Sequence, residues 1–430
     1  MRSRLSLYPI LAALAALWLS ACSDGGGSGR TSVRLVNLSP GYTSLDLYAN
    51  TADDDSDQQR IAGVSYETVS SYTQLESGTY DVKLKRSSVT STLQTLSSKQ
   101  LADDTHHTFV AFGSTGHFSS IQVSDDVTPP DSGRAKVQVL NAAEAGSLDV
   151  YLTESSVSLD DATPVVVGVA AGTSSSISTI DSGDYRLRVT GTSESADLRL
   201  DVPNITLDSR QVVALILTAT QGGVLVEAQT LPQQGSLTKF ANTKARIRGA
   251  VGTTAGPAVM GVGGVGVLNG AVGVVGNYAQ VEAGSVPVTL TVGGVAIAVP
   301  DQTLAAGGEY TLLAWTDAAG TQTTLIGDDN RLPTASGKAK IRVVNGLSSL
   351  NVPVTLAVNF SPIAENIALG QASGFTEVDD GTDYQLDVTN TDTADNLVTK
   401  TSVTLQSAAV YTLFMSANGT TVSGTLRKDR

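Results

Sequence analysis

The stretch "MGVGGVGVLNG" places Gly261, Gly263 and Gly266 in a G-x-G-x-x-G pattern. That spacing can cradle the pyrophosphate of a dinucleotide, provided the glycines leave a strand and open a helix. The residues that follow, 267–276, alternate glycine with β-branched side chains and make a poor helix. A variable inter-strand segment is the better reading. His106, His107 and His117 are the only histidines. If residues 105–112 form a strand, His106 and His107 point to opposite faces and do not readily share a metal. His117 near a hairpin tip could join one of them with Asp103 or Asp104, but solvated polar residues at a strand entrance explain the group better. With no histidine beyond residue 117 and no G-x-S-x-G, hydrolase triads have little material.

Paired acids recur: Asp103-Asp104, Asp125-Asp126, Asp160-Asp161, Asp328-Asp329 and Asp379-Asp380. The densest run, residues 53–57, offers Asp53, Asp55 and Asp57 as candidate calcium ligands. Carboxylates beside backbone carbonyls suit that cation, yet the glycine and distal glutamate of an EF-hand loop are missing. Solvated turns that oppose edge-to-edge pairing are the alternative. Trp315 is the only tryptophan after residue 21, and its alternation with Leu313 suits a core position better than a sugar platform.

The elements that would position these residues are repeated. "YTQLESG", "ISTIDSG", "YAQVEAG" and "FTEVDDG" align without gaps and close on Gly78, Gly183, Gly284 and Gly381. The glycines lie 105, 101 and 97 positions apart, the length of a β-sandwich domain rather than of a solenoid repeat. After the glycine, Tyr80, Val82 and Leu84 alternate with Asp81, Lys83 and Lys85, the period of a half-buried strand. Each copy opens on a further strand, aligned as "VRLVN" (33–37), "VQVLN" (137–141), "ARIRG" (245–249) and "IRVVN" (341–345), and closes on a hairpin. Gly293-Gly294 predicts a two-residue hairpin turn. About seven strands per copy and no helical periodicity after residue 21 predict an all-β chain of four tandem Ig-like antiparallel β-sandwiches, at residues 32–128, 134–231, 244–332 and 338–430. Pro-, Ser- and Gly-rich connectors separate them.

Residues 1–21 carry Arg2 and Arg4, then a largely apolar run too short to span a bilayer, as an export signal does. The segment ends Leu19-Ser20-Ala21-Cys22, which resembles the lipobox of bacterial lipoproteins. Cys22 is the only cysteine, so no intrachain disulfide exists and its thiol is free to carry lipid. Residues 22–31 read as the lipidated cysteine and a Gly/Ser tether. Ser23 matches the outer-membrane sorting pattern of enteric-type lipoproteins. The net charge of −14 makes nucleic acid and anionic membrane surfaces poor partners.

"VRLVNLSPGYTSLDLYAN" and "VQVLNAAEAGSLDVYLTE" resemble the start of the bacterial domain-of-unknown-function family 4397: a strand, an asparagine, a short loop, then Leu45-Asp46-Leu47-Tyr48 or Leu148-Asp149-Val150-Tyr151. "LESGTYDVKL" and "IDSGDYRLRV" resemble the family's Gly-x-Tyr strand, while the third and fourth copies lack the Asp-x-Tyr element. The resemblance implies an exported, often lipid-anchored β-rich domain and brings no catalytic residues. The expectation is a non-enzymatic envelope protein without cofactor, bound to the outer membrane through lipid on Cys22, on its periplasmic face or at the cell surface. Its four sandwiches would act as a spacer or interaction rod for a protein or glycan partner. The alternative is a polysaccharide- or peptidoglycan-binding module.

Overall fold

The computed structural model describes residues 29–430 except 52, 53, 55 and 145. The signal segment, Cys22, and two of the acids read as calcium ligands, Asp53 and Asp55, lie outside the described residues. Every element in the described residues is a β-strand. Four units recur, each of two packed sheets with eight principal strands rather than seven. In the first unit the strands are Arg30–Leu38, Ser44–Thr51, Gln59–Ser65, an interrupted fourth (Thr68–Val69 and Thr73–Glu76), Gly78–Arg86, Thr92–Leu101, His106–Phe112 and Ser119–Ser124. One sheet runs fourth, first, seventh, eighth; the other runs third, second, fifth, sixth. The same two orders recur in the later units, although in the third the fifth and sixth strands are interrupted and Gly284–Val286 pairs Gln302–Leu304 as a separate short ladder. In the second, Thr238–Phe240 adds a ninth strand beyond the eighth.

The first strand lies parallel to the seventh in every unit, the one parallel ladder in otherwise antiparallel sheets. This pairing corrects the alignment of the third copy. Val33 pairs with His107 and Ile341 with Tyr411, and Ile247, not Ala245, holds the equivalent place beside Tyr310. The apparent match of "ARIRG" to "VRLVN" was two residues out. Because a shift of two preserves the strand's alternation of faces, hydrophobic pattern alone does not detect it.

The sheet built on the first strand is buried on both faces. Val33 and Leu35 enter the core of their own unit, whereas Val36 and Leu38 point outward and are equally buried. With Val110 and Phe112 they pack against Leu140, Ala142, Ile216 and Leu231 of the second unit. Each large apolar side chain so covered contributes about 1.5–3 kcal/mol relative to exposure. The third and fourth units pair in the same manner through Ala250, Leu313, Val344 and Phe414, with Trp315 at the margin. Trp315 thus belongs to a core between units and not to the core of its own. The units do not string out as a rod. Gly222 of the second donates its amide to Gly307 of the third at 3.0 Å, and His117 of the first donates to the Pro333 carbonyl before the fourth.

Local polar clasps account for the repeated signatures. Asn37, Asn141 and Asn345 end the first strand fully buried. Asn141 donates to the Gly146 and Val169 carbonyls at 2.8 Å each and accepts from the Ala143 amide at 3.1 Å, tying the following loop to the third strand. Val251 takes this place in the third unit. The Gly-x-Tyr strands use the phenol similarly: Tyr80, Tyr185 and Tyr384 donate to the carbonyls of Glu76, Asp181 and Asp379 at 2.8–2.9 Å. Replacing Asn141 with Leu removes three buried hydrogen bonds and should lower the stability of the second unit by roughly 2–4 kcal/mol. Urea unfolding of the variant against the parent measures the loss.

Candidate functional site

Most of the chemistry-bearing residues named from the sequence are held in separate structural roles. The G-x-G-x-x-G stretch is neither a phosphate loop nor an irregular segment. It is a hairpin, Ala258–Val262 and Val265–Gly270, turned by Gly263 and Gly264 with φ of 56° and 81°. Two successive positive φ values define the tight turn that suits the twist of paired strands, and only glycine takes them without strain. Gly293-Gly294, expected as such a turn, has the same geometry, with φ of 57° and 83°.

The histidines do not meet. His106 pairs through Nδ1 with Asp126 at 3.1 Å, at a half-exposed strand end. His107 lies on the opposite face, buried, with Nε2 2.9 Å from the Thr105 hydroxyl and Nδ1 3.0 Å from the Gln122 amide. Burial pushes its pKa below the ordinary histidine value. Asp103 and Asp104 join neither ring. Of the proposed calcium ligands, Asp57 is taken: its carboxylate accepts from Lys85 and from Lys83, at 2.9 Å for the latter. Those two ammonium groups hold its pKa below the usual carboxylate range. A cation there would have to displace both lysines. Among the described residues no three His, Cys, Asp or Glu side chains are grouped to hold a metal.

The acids of the two Leu-Asp-x-Tyr stretches also serve the backbone. Asp46 accepts from the Gly63 amide at 2.8 Å, the Ser87 hydroxyl at 2.6 Å and the Gln59 amide at 3.0 Å. Asp149 accepts from the Gly168 and Ser193 amides at 2.7 and 3.0 Å. Each fixes the third strand and the turn after the fifth onto the second.

A buried charge set missed in the sequence lies at the sheet faces between units. Arg34, Arg248 and Arg342 occupy the same outward position of the first strand, all about 2% exposed or less. Each guanidinium donates through Nε to a seventh-strand threonine: Thr108 at 2.7 Å, Thr311 at 3.0 Å and Thr412 at 3.0 Å. Each lies over a ring that immediately precedes the strand leading to the repeat's closing glycine, Tyr72, Tyr278 or Phe375, at 4.4–4.8 Å from the centroid. The leading residue of the repeated heptad is therefore the lid of an arginine in three copies. An aspartate after the eighth strand completes each set. In the first unit it is the unit's own, Asp125, 3.3 Å from Arg34. In the third and fourth the partners are exchanged. Arg248 bonds Asp429 of the fourth unit at 2.5 Å, and Arg342 bonds Asp328 of the third. Tyr278 and Thr311 donate to Asp328 at 2.6 and 2.7 Å. The second unit has Gln138, Ile177, Ala214 and Gln233 at the matching places. The signal was the recurrence of Arg, aromatic, Thr and Asp at corresponding strand positions, visible only once the parallel register is known.

Two cavities open where units meet. One, of about 530 Å³, is lined by all four, with Tyr66 and Glu67 of the first, Glu227 and Lys239 of the second, Gly307 of the third and Arg430 of the fourth. Lys239 bridges Glu67 and Glu227, the latter at 3.0 Å, and burial raises the Glu227 pKa. Arg430 donates to the Gly223 and Asn330 carbonyls at 2.8 and 3.1 Å. The other, of about 610 Å³, lies between the first, third and fourth units beside Phe375 and Glu377.

The fold and these sites define a tandem array of β-sandwich units that interlock through buried charge sets. The family model of a domain of unknown function, DUF4397, matches residues 31–151 and 267–351. The first match covers the first unit and the opening two strands of the second. The second match reaches into the third and fourth units, where the Asp-x-Tyr element is missing. A search of curated proteins returns no match. Similar solved structures include a family 26 carbohydrate-binding module from Eubacterium rectale in complex with maltoheptaose, 12% identical, covering 49% of this chain and 97% of that one, with a TM-score of 0.15. Another is the TIE protein of Bacillus anthracis, 9% identical, covering 90% of this chain and 68% of that one, also with a TM-score of 0.15. Superpositions this poor carry no functional inference.

Two outcomes follow from the geometry. Asp429→Ala leaves Arg248 buried without its principal partner and should cost about 3–5 kcal/mol. Hydrogen exchange should show the loss in the third unit as well as the fourth, and adding Arg248→Met should restore much of it. His107, buried and neutral, has a folded pKa below its unfolded value of about 6.5. Its share of stability is therefore full above that value and is lost as pH falls from there through the lowered folded pKa. Urea midpoints of the first unit should decline over that window, and His107→Gln should flatten the decline.

Proposed function

We propose that the chain is a non-enzymatic, lipid-anchored protein of the bacterial cell envelope, held at the outer membrane by Cys22 and acting as an interaction module. The observation that carries the anchor is the lone cysteine, closing Leu19-Ser20-Ala21-Cys22 directly after an export-type segment. A non-catalytic role is supported by how the polar residues are used. The signature acids Asp46 and Asp149 hold backbone amides, and the buried arginines are met by threonines, aromatic rings and aspartates. The interlocked units favour a compact block over an extended spacer.

A second reading, binding of an envelope glycan, is favoured by one feature, the cavities between units with their mixed apolar and hydrogen-bonding walls. The anchor is tested by expressing the parent chain and Cys22→Ala, feeding an alkyne-tagged fatty acid, and fractionating the cells. The parent should carry the label and sediment with membranes, and the variant should be unlabelled and soluble. A Cys22→Ala chain that still behaves as an integral membrane protein refutes the anchor.

A further inference from the structure

The two paired blocks are built alike, yet they close differently at one end. In the third and fourth units the outward position at the end of the first strand is Gly252 and Gly346, and their backbones touch. A Cβ on Gly252 would lie 2.6 Å from the Gly346 carbonyl oxygen. The matching residues of the first and second units are Leu38 and Ala142, placed by the same parallel register. Both line a cavity of about 530 Å³ at the four-unit junction, within the usual range for a small-molecule site.

Its walls say what it would accept. Leu38 and Ala142 give an apolar floor and Tyr66 an aromatic side. Three carboxylates, Glu67, Glu144 and Glu227, stand against three cations, Lys239, Arg331 and Arg430. This balance disfavours a strongly charged ligand of either sign, since each would meet three like charges. A hydroxyl group both donates and accepts, so a ligand rich in hydroxyls can use both kinds of wall at once. The faces of a sugar ring carry C–H groups that fit the apolar floor and the phenol.

We propose that this cavity is a binding site for a short neutral oligosaccharide. The proposal rests on the interaction-module reading in its glycan form and is independent of the anchor at Cys22, which fractionation tests separately. The test is calorimetric titration of the full chain in detergent with maltotriose, cellotriose and triacetylchitotriose. At least one should bind saturably with one site per chain. Ala241 is exposed at the cavity rim, and Ala241→Trp should fill the mouth and abolish binding. Glu227→Gln keeps the shape but removes a charge, and should weaken binding by roughly tenfold or more, about 1.4 kcal/mol. Melting curves report whether each variant is folded, and if Ala241→Trp is not, Glu227→Gln alone decides. No saturable heat with any of the three sugars at millimolar concentration overturns the proposal, and so does binding that a folded variant leaves unchanged.

Discussion

The structure depends on one constraint: the sheet containing the first strand has no face left for water. In each unit that strand is bonded along both edges, antiparallel to the fourth and parallel to the seventh, and side chains of both faces are covered. Parallel ladders are stable mainly where both faces are buried. A lone unit would expose its outward row of Val, Leu, Ile and Phe, and the paired arrangement covers it. The two blocks, and the junction between them, follow from that need.

Once the outward face is buried, a charged residue on it must be met in full. Arg34, Arg248 and Arg342 would each be costly in an apolar interface without a carboxylate, a hydroxyl and a ring at hand. Buried ion pairs of this kind add little net stability compared with apolar replacements, and their better-attested use is to fix which surfaces meet. Here the distribution of charge separates the blocks. The exchanged aspartates tie the third and fourth units to each other, while the second unit, with glutamines in the matching places, meets a first unit that has already neutralised its own arginine. Unit three is thereby directed toward unit four.

The sequence made the all-β class, the fourfold repeat and several turns legible, because each has a local cause. The closing glycines, the Gly293-Gly294 turn and the alternation after Tyr80 are examples. It did not reveal that first and seventh strands run parallel, since pairing partners distant in the chain leave no local pattern. The outward burial was partly visible. "VVALILTA" and "YTLLAW" are apolar at nearly every position, as strands covered on both faces are, and an alternation-based reading assigns them only one buried face. The arginines looked like polar-face residues for the same reason. The junction cavity had no sequence signal, because its lining comes from all four units, which only the fold brings together. Of the named site residues, His107 lies in the expected strand and Asp57 in the expected inter-strand segment, but with partners, Gln122 and Lys85, that only the folded register supplies.

The exchanged aspartates also set a timetable for synthesis. Arg34 finds Asp125 after 91 residues, within the unit being made. Arg248 must wait 181 residues for Asp429, until the final strand of the fourth unit has left the ribosome. The first unit can neutralise its buried arginine before the second is made, whereas the third has to wait for the whole of the fourth.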